Sequence, residues 1–159
     1  MIEGREVTWF PSYGAEVRGG TANCTVILSD ALIGSPVVTS PEILIVMSDA
    51  SLNKFLPQLK QNGALFFDAS LIKEAIPRTD IEIVGIPATD IANRVGNTKS
   101  ANMVMLGGLI AETGIVRKES AFQAVESSMK GKKKNLIDDN KKAILEGMKY
   151  RENQKSKDI

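Results

Sequence analysis

Four short apolar runs, each bounded by residues that break regular structure, punctuate the first half of the chain. Val26, Ile27 and Leu28 end at Ser29-Asp30; Ile43, Leu44, Ile45, Val46 and Met47 are continuous; Ala64, Leu65, Phe66 and Phe67 follow Asn62-Gly63; and the run from Ile81 to Ile86 stops at Pro87. Runs of this length and composition suit strands buried on both faces, which means a parallel sheet covered by helices. The connections carry the matching helical period. Asp49-Ala50-Ser51 gives a cap signal, and Leu52, Phe55, Leu56 and Leu59 follow at helical spacing, so the stretch from 43 to 67 reads as one βαβ unit. Pro57 should kink or tighten that helix, with Gly63 closing it. Pro87 to Ala92 reads as a short helix with proline in its first turn.

A longer helix is expected from Asn97, or from the Thr98–Ser100 stretch, to about Glu112, stopped by Gly114. Met103, Leu106 and Ile110 form one stripe on it, while Val104, Met105 and Leu109 cover much of the rest. A helix apolar almost all round is buried on more than one side. Gly107-Gly108 in its middle costs roughly 1 kcal/mol per glycine relative to alanine, which makes sense where another backbone packs close. Asn102, Met103, Leu106, Gly107 and Gly108 are therefore read as an interface with another subunit, the alternative being a central core helix. Near the C-terminus, Leu136, Ile137, Asn140, Ala143, Ile144, Gly147 and Met148 recur at three- and four-residue spacing, giving an amphipathic helix with a Lys-rich outer face. Residues 152–159 are polar and expected to fray.

Charge divides the chain in two. Residues 1–129 carry 10 Lys+Arg and 14 Asp+Glu, whereas residues 130–159 carry 10 and 5. The expected organisation is an α/β core over 1–129, then over 130–159 a basic linker, the helix and a frayed tail. The whole chain of 159 residues is 43% hydrophobic with a net charge of +1, which suits one globular domain and gives no global attraction to nucleic acid or acidic lipid. The cluster Lys130, Lys132, Lys133, Lys134 lacks interleaved aromatics, so it reads as a solvated loop rather than a nucleic-acid site. No run is long enough for a membrane span and no signal-like start is present, so a soluble cytoplasmic protein is expected.

Composition also limits the chemistry. With no His and the single Cys24, this chain alone supplies no serine triad, no His-ligated metal, no Cys-type zinc site and no iron–sulfur cluster. Cys24 itself is read as an inert thiol in a buried strand. Asp49 and Asp68-Ala69-Ser70 stand at strand ends, where α/β proteins bind ligands but where helices also take their caps. No residue is assigned as catalytic.

The least ordinary segment joins the first strand to the second through a loop dense in glycine and polar groups, Tyr13-Gly14-Ala15-Glu16-Val17-Arg18-Gly19-Gly20-Thr21-Ala22-Asn23. Gly19-Gly20 permits close backbone approach. Arg18 is suited to grip a carboxylate or phosphate with two hydrogen bonds, and Glu16 to orient it; a tight turn with a structural ion pair is the other reading. From Trp9 to Val26 this stretch closely resembles the gamma subunit, or gamma domain, of 2-oxoacid:ferredoxin oxidoreductases of the 2-oxoglutarate and 2-ketoisovalerate type. Gly34-Ser35-Pro36-Val37-Val38, Gly85 to Ala92 and Ala101 to Gly108 are similar to that family in the same order.

The resemblance implies a Rossmann-like α/β domain within a multi-subunit enzyme that decarboxylates a 2-oxoacid, passes two electrons to ferredoxin and forms an acyl-CoA. It implies thiamine diphosphate with Mg²⁺, iron–sulfur clusters and coenzyme A in the complex, the first three on other, thiamine-binding and ferredoxin-like subunits. Tyr13, Glu16, Arg18, Gly19, Gly20, Thr21 and Asn23 become an expected loop beside the active site or a neighbouring subunit. The family's opening strand and G-x-G-G-Q-G turn do not occur in this sequence, so a first βα unit is expected to be absent and a coenzyme A contact loses its phosphate-binding turn. A homodimer of this chain is a further possible contact; a free-standing nucleotide-binding Rossmann protein, for which the sequence lacks any G-x-G-x-x-G, and a non-catalytic scaffold fragment are the alternative functions.

Overall fold

Two separate sheets organise the chain in a computed structural model that describes residues 1–12, 21–131 and 134–157. Strands β1 (Glu6–Ser12) and β2 (Asn23–Ser29) form an antiparallel ribbon, with Glu6 opposite Ser29 and Ser12 opposite Asn23. Strands β3 (Ile43–Val46), β4 (Ala64–Asp68) and β5 (Glu82–Ile86) form a parallel sheet in the order β3-β4-β5. The expected α/β architecture with a parallel sheet flanked by helices is therefore present, built from the runs at 43–47, 64–67 and 81–86. The run at 26–28 is a correction, because it belongs to the ribbon, and there Val26 is 55% exposed.

Alternation along β4 explains the layers. Leu65 and Phe67 point to one side, where they meet Val46, Leu52, Leu56, Leu59 and Ile72 beneath helix α1 (Asp49–Phe55). Ala64 and Phe66 point to the other, joining Val84, Ile86, Ile91, Val104, Met105 and Leu109. Leu65 and Phe66 are fully buried, as a central strand with both faces covered requires. Helices α2 (Ala88–Val95), α3 (Ala101–Thr113) and α5 (Lys134–Lys155) build the second layer. Helix α4 (Lys118–Ser128) follows α3 and is not foreseen by the hydrophobic pattern, since Ala121 and Val125 are its only buried apolar residues.

The helix ends follow their local chemistry. Ser48, rather than Asp49 to Ser51, caps α1, its hydroxyl oxygen accepting from the Ser51 amide at 3.3 Å. Pro57 tightens the end of that helix into a 3₁₀ turn, Leu56–Gln58. Gly63 does not close it: Asn62 takes the positive φ of 61°. Gly63 is instead crowded, because a Cβ there would lie 2.8 Å from the carbonyl oxygens of Glu42 and Lys60. The Arg78 guanidinium holds the end of the turn by donating to the carbonyls of Leu56 (3.2 Å) and Leu59 (2.7 Å). Asn97 begins a 3₁₀ turn that runs into α3, and Gly114 stops α3 in the left-handed region at φ 60°.

Helix α5 belongs to the core. Ala143 and Ile144 are fully buried, and Tyr150 packs against the larger core cluster. The expectation of fraying from 152 is corrected: the helix continues to Lys155, whose ammonium lies 3.3 Å from a Glu112 carboxylate oxygen, and Arg151 pairs with the same carboxylate. No helix among the described residues is long and apolar enough to cross a membrane.

Candidate functional site

The C-terminal edge of a parallel sheet is where α/β proteins bind their ligands, and here its central position is Asp68. The side chain is fully buried. One oxygen accepts from the Ser70 amide at 3.0 Å, and the other accepts from the Thr89 amide at 3.2 Å and the Thr89 hydroxyl at 2.6 Å. Pro87, at the start of α2, offers no side-chain cap, so Asp68 caps that helix from the neighbouring strand and places its negative charge at the positive helix end. Ser70 completes the junction by accepting from the Asp90 amide at 3.0 Å. Of the two readings of Asp68-Ala69-Ser70, the structure uses the cap. Asp49 stands in the first turn of α1 beside the capping Ser48.

The loop expected to face an active site is reached only at its ends. Tyr13, Glu16, Arg18, Gly19 and Gly20 lie outside the described residues, whereas Thr21 and Asn23 are placed. Asn23 begins β2 opposite Ser12. Thr21 Oγ1 accepts from Lys54 Nζ at 3.0 Å, which ties the loop's exit to the last turn of α1. At the base of the ribbon, Arg5 donates to the carbonyl of Ile115 at 2.9 Å, and Glu3 accepts from the Arg117 amide at 2.8 Å at the start of α4. Glu3 is held below its ordinary pKa by hydrogen bonds from Ser120 and from that amide.

The five residues read as an interface divide. Gly107 and Gly108 are buried inside this chain. A Cβ on Gly107 would meet the backbone carbonyl of Ile144 in α5, and one on Gly108 would meet the end of Ile86 in β5. Gly147 of α5 faces the carbonyl of Val104 in the same way. The close approach of Gly107 is thus to α5 and that of Gly108 to β5, both within one chain. Asn102 is exposed, Met103 and Leu106 are half-buried, and Asn102 and Met103 line a groove of about 350 Å³ with Val125, Met129 and Leu136. A second groove, of about 450 Å³, lies between α2 and α5 beside Arg94, Lys142, Lys149 and Tyr150.

Cys24 is exposed on the ribbon, not buried as its flanking apolar run predicts. Among the described residues no group of three or more His, Cys, Asp or Glu is placed to hold a metal ion, and a chain with one cysteine cannot ligate an iron–sulfur cluster unaided.

These features coincide with a known family. A model described as pyruvate ferredoxin/flavodoxin oxidoreductase matches residues 1–150. The chain is 36% identical to the 2-oxoglutarate synthase subunit KorC of Methanothermobacter marburgensis, over 94% of this chain and 86% of that one. It is 35% identical to the ketoisovalerate oxidoreductase subunit VorA of Methanothermobacter thermautotrophicus over 95% of its own length but 31% of that protein; it spans about a third of such VorA relatives. The solved gamma subunit of a keto/oxoacid ferredoxin oxidoreductase from Geobacter sulfurreducens is similar in fold, with a TM-score of 0.76 at 30% identity, covering 94% of this chain and 82% of that one. With its parallel sheet and helix layers shared with that subunit, and its sequence matched almost end to end, this chain belongs to the pyruvate ferredoxin/flavodoxin oxidoreductase family.

Proposed function

We propose that this chain is the gamma subunit of a 2-oxoacid:ferredoxin oxidoreductase, a cytoplasmic complex that oxidatively decarboxylates a 2-oxoacid to an acyl-CoA while reducing ferredoxin. The observation that carries this reading is the match to KorC, which extends over 86% of a free-standing subunit. The chain's role is positional: it presents the Tyr13–Asn23 loop to the active site or to the subunit that holds it. Thiamine diphosphate with Mg²⁺ and the iron–sulfur clusters are assigned to companion subunits, in keeping with a chain whose buried Asp68 is fully engaged in capping α2 and which has one Cys and no His.

The test is to purify the complex with and without this chain and to follow coenzyme A-dependent ferredoxin reduction with 2-oxoglutarate, 2-ketoisovalerate and pyruvate. Turnover should require the chain; equal activity in its absence overturns the proposal. Within the complex, Arg18→Ala should lower turnover or assembly by about tenfold or more, the effect of losing a charged hydrogen-bonding partner, while Lys133→Ala leaves both near the parent value. Equal and negligible effects would remove the role given to the loop.

A further inference from the structure

The groove between α2 and α5 carries positive charge that the rest of the chain leaves unmatched. Arg94 of α2 and Lys142 of α5 line it, both exposed, and among the described residues neither has an ion-pair partner. The one carboxylate lining the groove, Glu146, is taken by Lys149 at 2.8 Å. Elsewhere such cations are matched within the chain, as Lys60 is by Glu42, Arg78 by Asp80 and Lys141 by Glu126. The excess agrees with the C-terminal segment as a whole, in which residues 130–159 carry 10 Lys+Arg against 5 Asp+Glu. Beneath the two cations the floor is apolar: Ile91 is buried, and Val95 and Tyr150 are half-buried. The space between is about 450 Å³.

Charge and shape together select the occupant. A small anion fits poorly, because both unmatched cations stand in water, where a single ion pair contributes little. A partner chain uses the same charges for steering and register, and covers the apolar floor in the same contact. A second copy placed by a twofold axis would set this groove against itself, cation against cation. We propose that the groove seats an acidic segment of a companion subunit, with carboxylates meeting Arg94 and Lys142 and an apolar side chain over Ile91, Val95 and Tyr150. The contact steers this chain onto the oxidoreductase and fixes its orientation there. The inference rests on the gamma-subunit reading above.

The test follows binding of the full-length chain, by interferometry, to immobilised companion subunits purified without it. Arg94→Glu/Lys142→Glu should slow association by about tenfold or more. Lys130→Glu/Lys157→Glu makes the same change in net charge away from the groove, at two exposed positions, and should stay within about threefold of the parent. Raising salt from about 0.1 M to about 0.5 M should slow the parent, and should slow the neutral variant Arg94→Gln/Lys142→Gln much less. All four positions are exposed, so the isolated variants should melt within about 2 °C of the parent.

Unchanged association of the charge-reversed chain, in a complex that requires the parent for turnover, overturns the groove and leaves the subunit assignment standing. A parent chain that binds no companion subunit overturns both. Stabilisation of the isolated chain by inorganic phosphate, lost on Arg94→Gln/Lys142→Gln, assigns the groove to a small anion and overturns the proposal. Self-association of the isolated chain that disappears on charge reversal assigns it to a second copy, with the same consequence.

Discussion

At the residue scale the glycines of α3 and α5 are the least replaceable positions that the structure identifies. Gly107 and Gly147 bring the two helix backbones so close that a single added methyl would strike a carbonyl, and backbone, unlike the end of a side chain, cannot swing aside. Gly107→Ala gains helix propensity of about 1 kcal/mol but meets an overpacking cost at or above the upper end of about 1–3 kcal/mol, because the added methyl strikes backbone, so the variant should be less stable than the parent. Thermal unfolding checks this against Gly34→Ala, where a Cβ meets nothing within 4 Å and the melting temperature should hold. Asp68 makes the complementary point for a polar residue. It is fully buried, yet its place is decided by the amides and the hydroxyl it accepts from.

At the scale of elements, the join between α5, α3 and the edge of β5 is electrostatic. Burial pushes the Glu112 carboxyl up, but hydrogen bonds from Arg151 and Lys155 outweigh it and leave the group below its ordinary value. Glu82 is raised, first by burial and then by its hydrogen bond to Glu112 and that group's charge. The two therefore act in opposite directions on stability. Glu112 contributes above the unfolded carboxyl pKa of about 4.3, and its contribution is lost as pH falls through its lowered folded value. Glu82 binds its proton more tightly in the folded chain, so its part of the stability declines as pH rises from the unfolded value through the raised folded one. Glu82→Gln should accordingly raise stability at pH 7, by less than about 1 kcal/mol at this solvent-screened position. The gain should shrink on acidification toward pH 4, a pattern read from melting temperatures across that range; a gain independent of pH would contradict the assignment.

At the scale of the whole molecule, the ties between the ribbon and the layered α/β body include the polar contacts of Arg5 with Ile115, Glu3 with Arg117 and Thr21 with Lys54, and among the described residues no residue of β1 or β2 belongs to either core cluster. The ribbon should open without disturbing the body. Native-state hydrogen exchange of the isolated chain checks this: amides of β1 and β2 should exchange by local opening, at least about a hundredfold faster than those of β4, which exchange only on global unfolding. A ribbon as protected as β4 would show a single cooperative unit. The same separation accounts for the exposure of Trp9 and Val26 on the ribbon.

Much of this was legible in advance, and the failures share a cause. The runs at 43–47, 64–67 and 81–86 are continuous because their strands are covered, so composition alone indicates a parallel sheet; Pro57 and Gly114 act through their own backbones, and Asn97 through a side chain that accepts from the Lys99 amide two residues on, so each marks an element end from local chemistry. The run at 26–28 and Cys24 look equally buried in one dimension, but their place in the ribbon leaves Val26 and Cys24 exposed and Ile27 and Leu28 half-buried. That Gly107 and Gly108 require a close neighbour follows from their size; that the neighbours are Ile144 of α5 and Ile86 of β5 depends on contacts between residues far apart in sequence. Likewise Asp68 has the chemistry of a ligand or a cap, and only the packing of α2 against the end of β4 selects the cap. The sequence by itself determined the periodicities, the turn chemistry, the family and the residues that cannot carry metal or cluster chemistry. The tertiary structure decided which apolar surfaces find partners within the chain, because burial is a property of the neighbours a residue meets, and local spacing does not contain them.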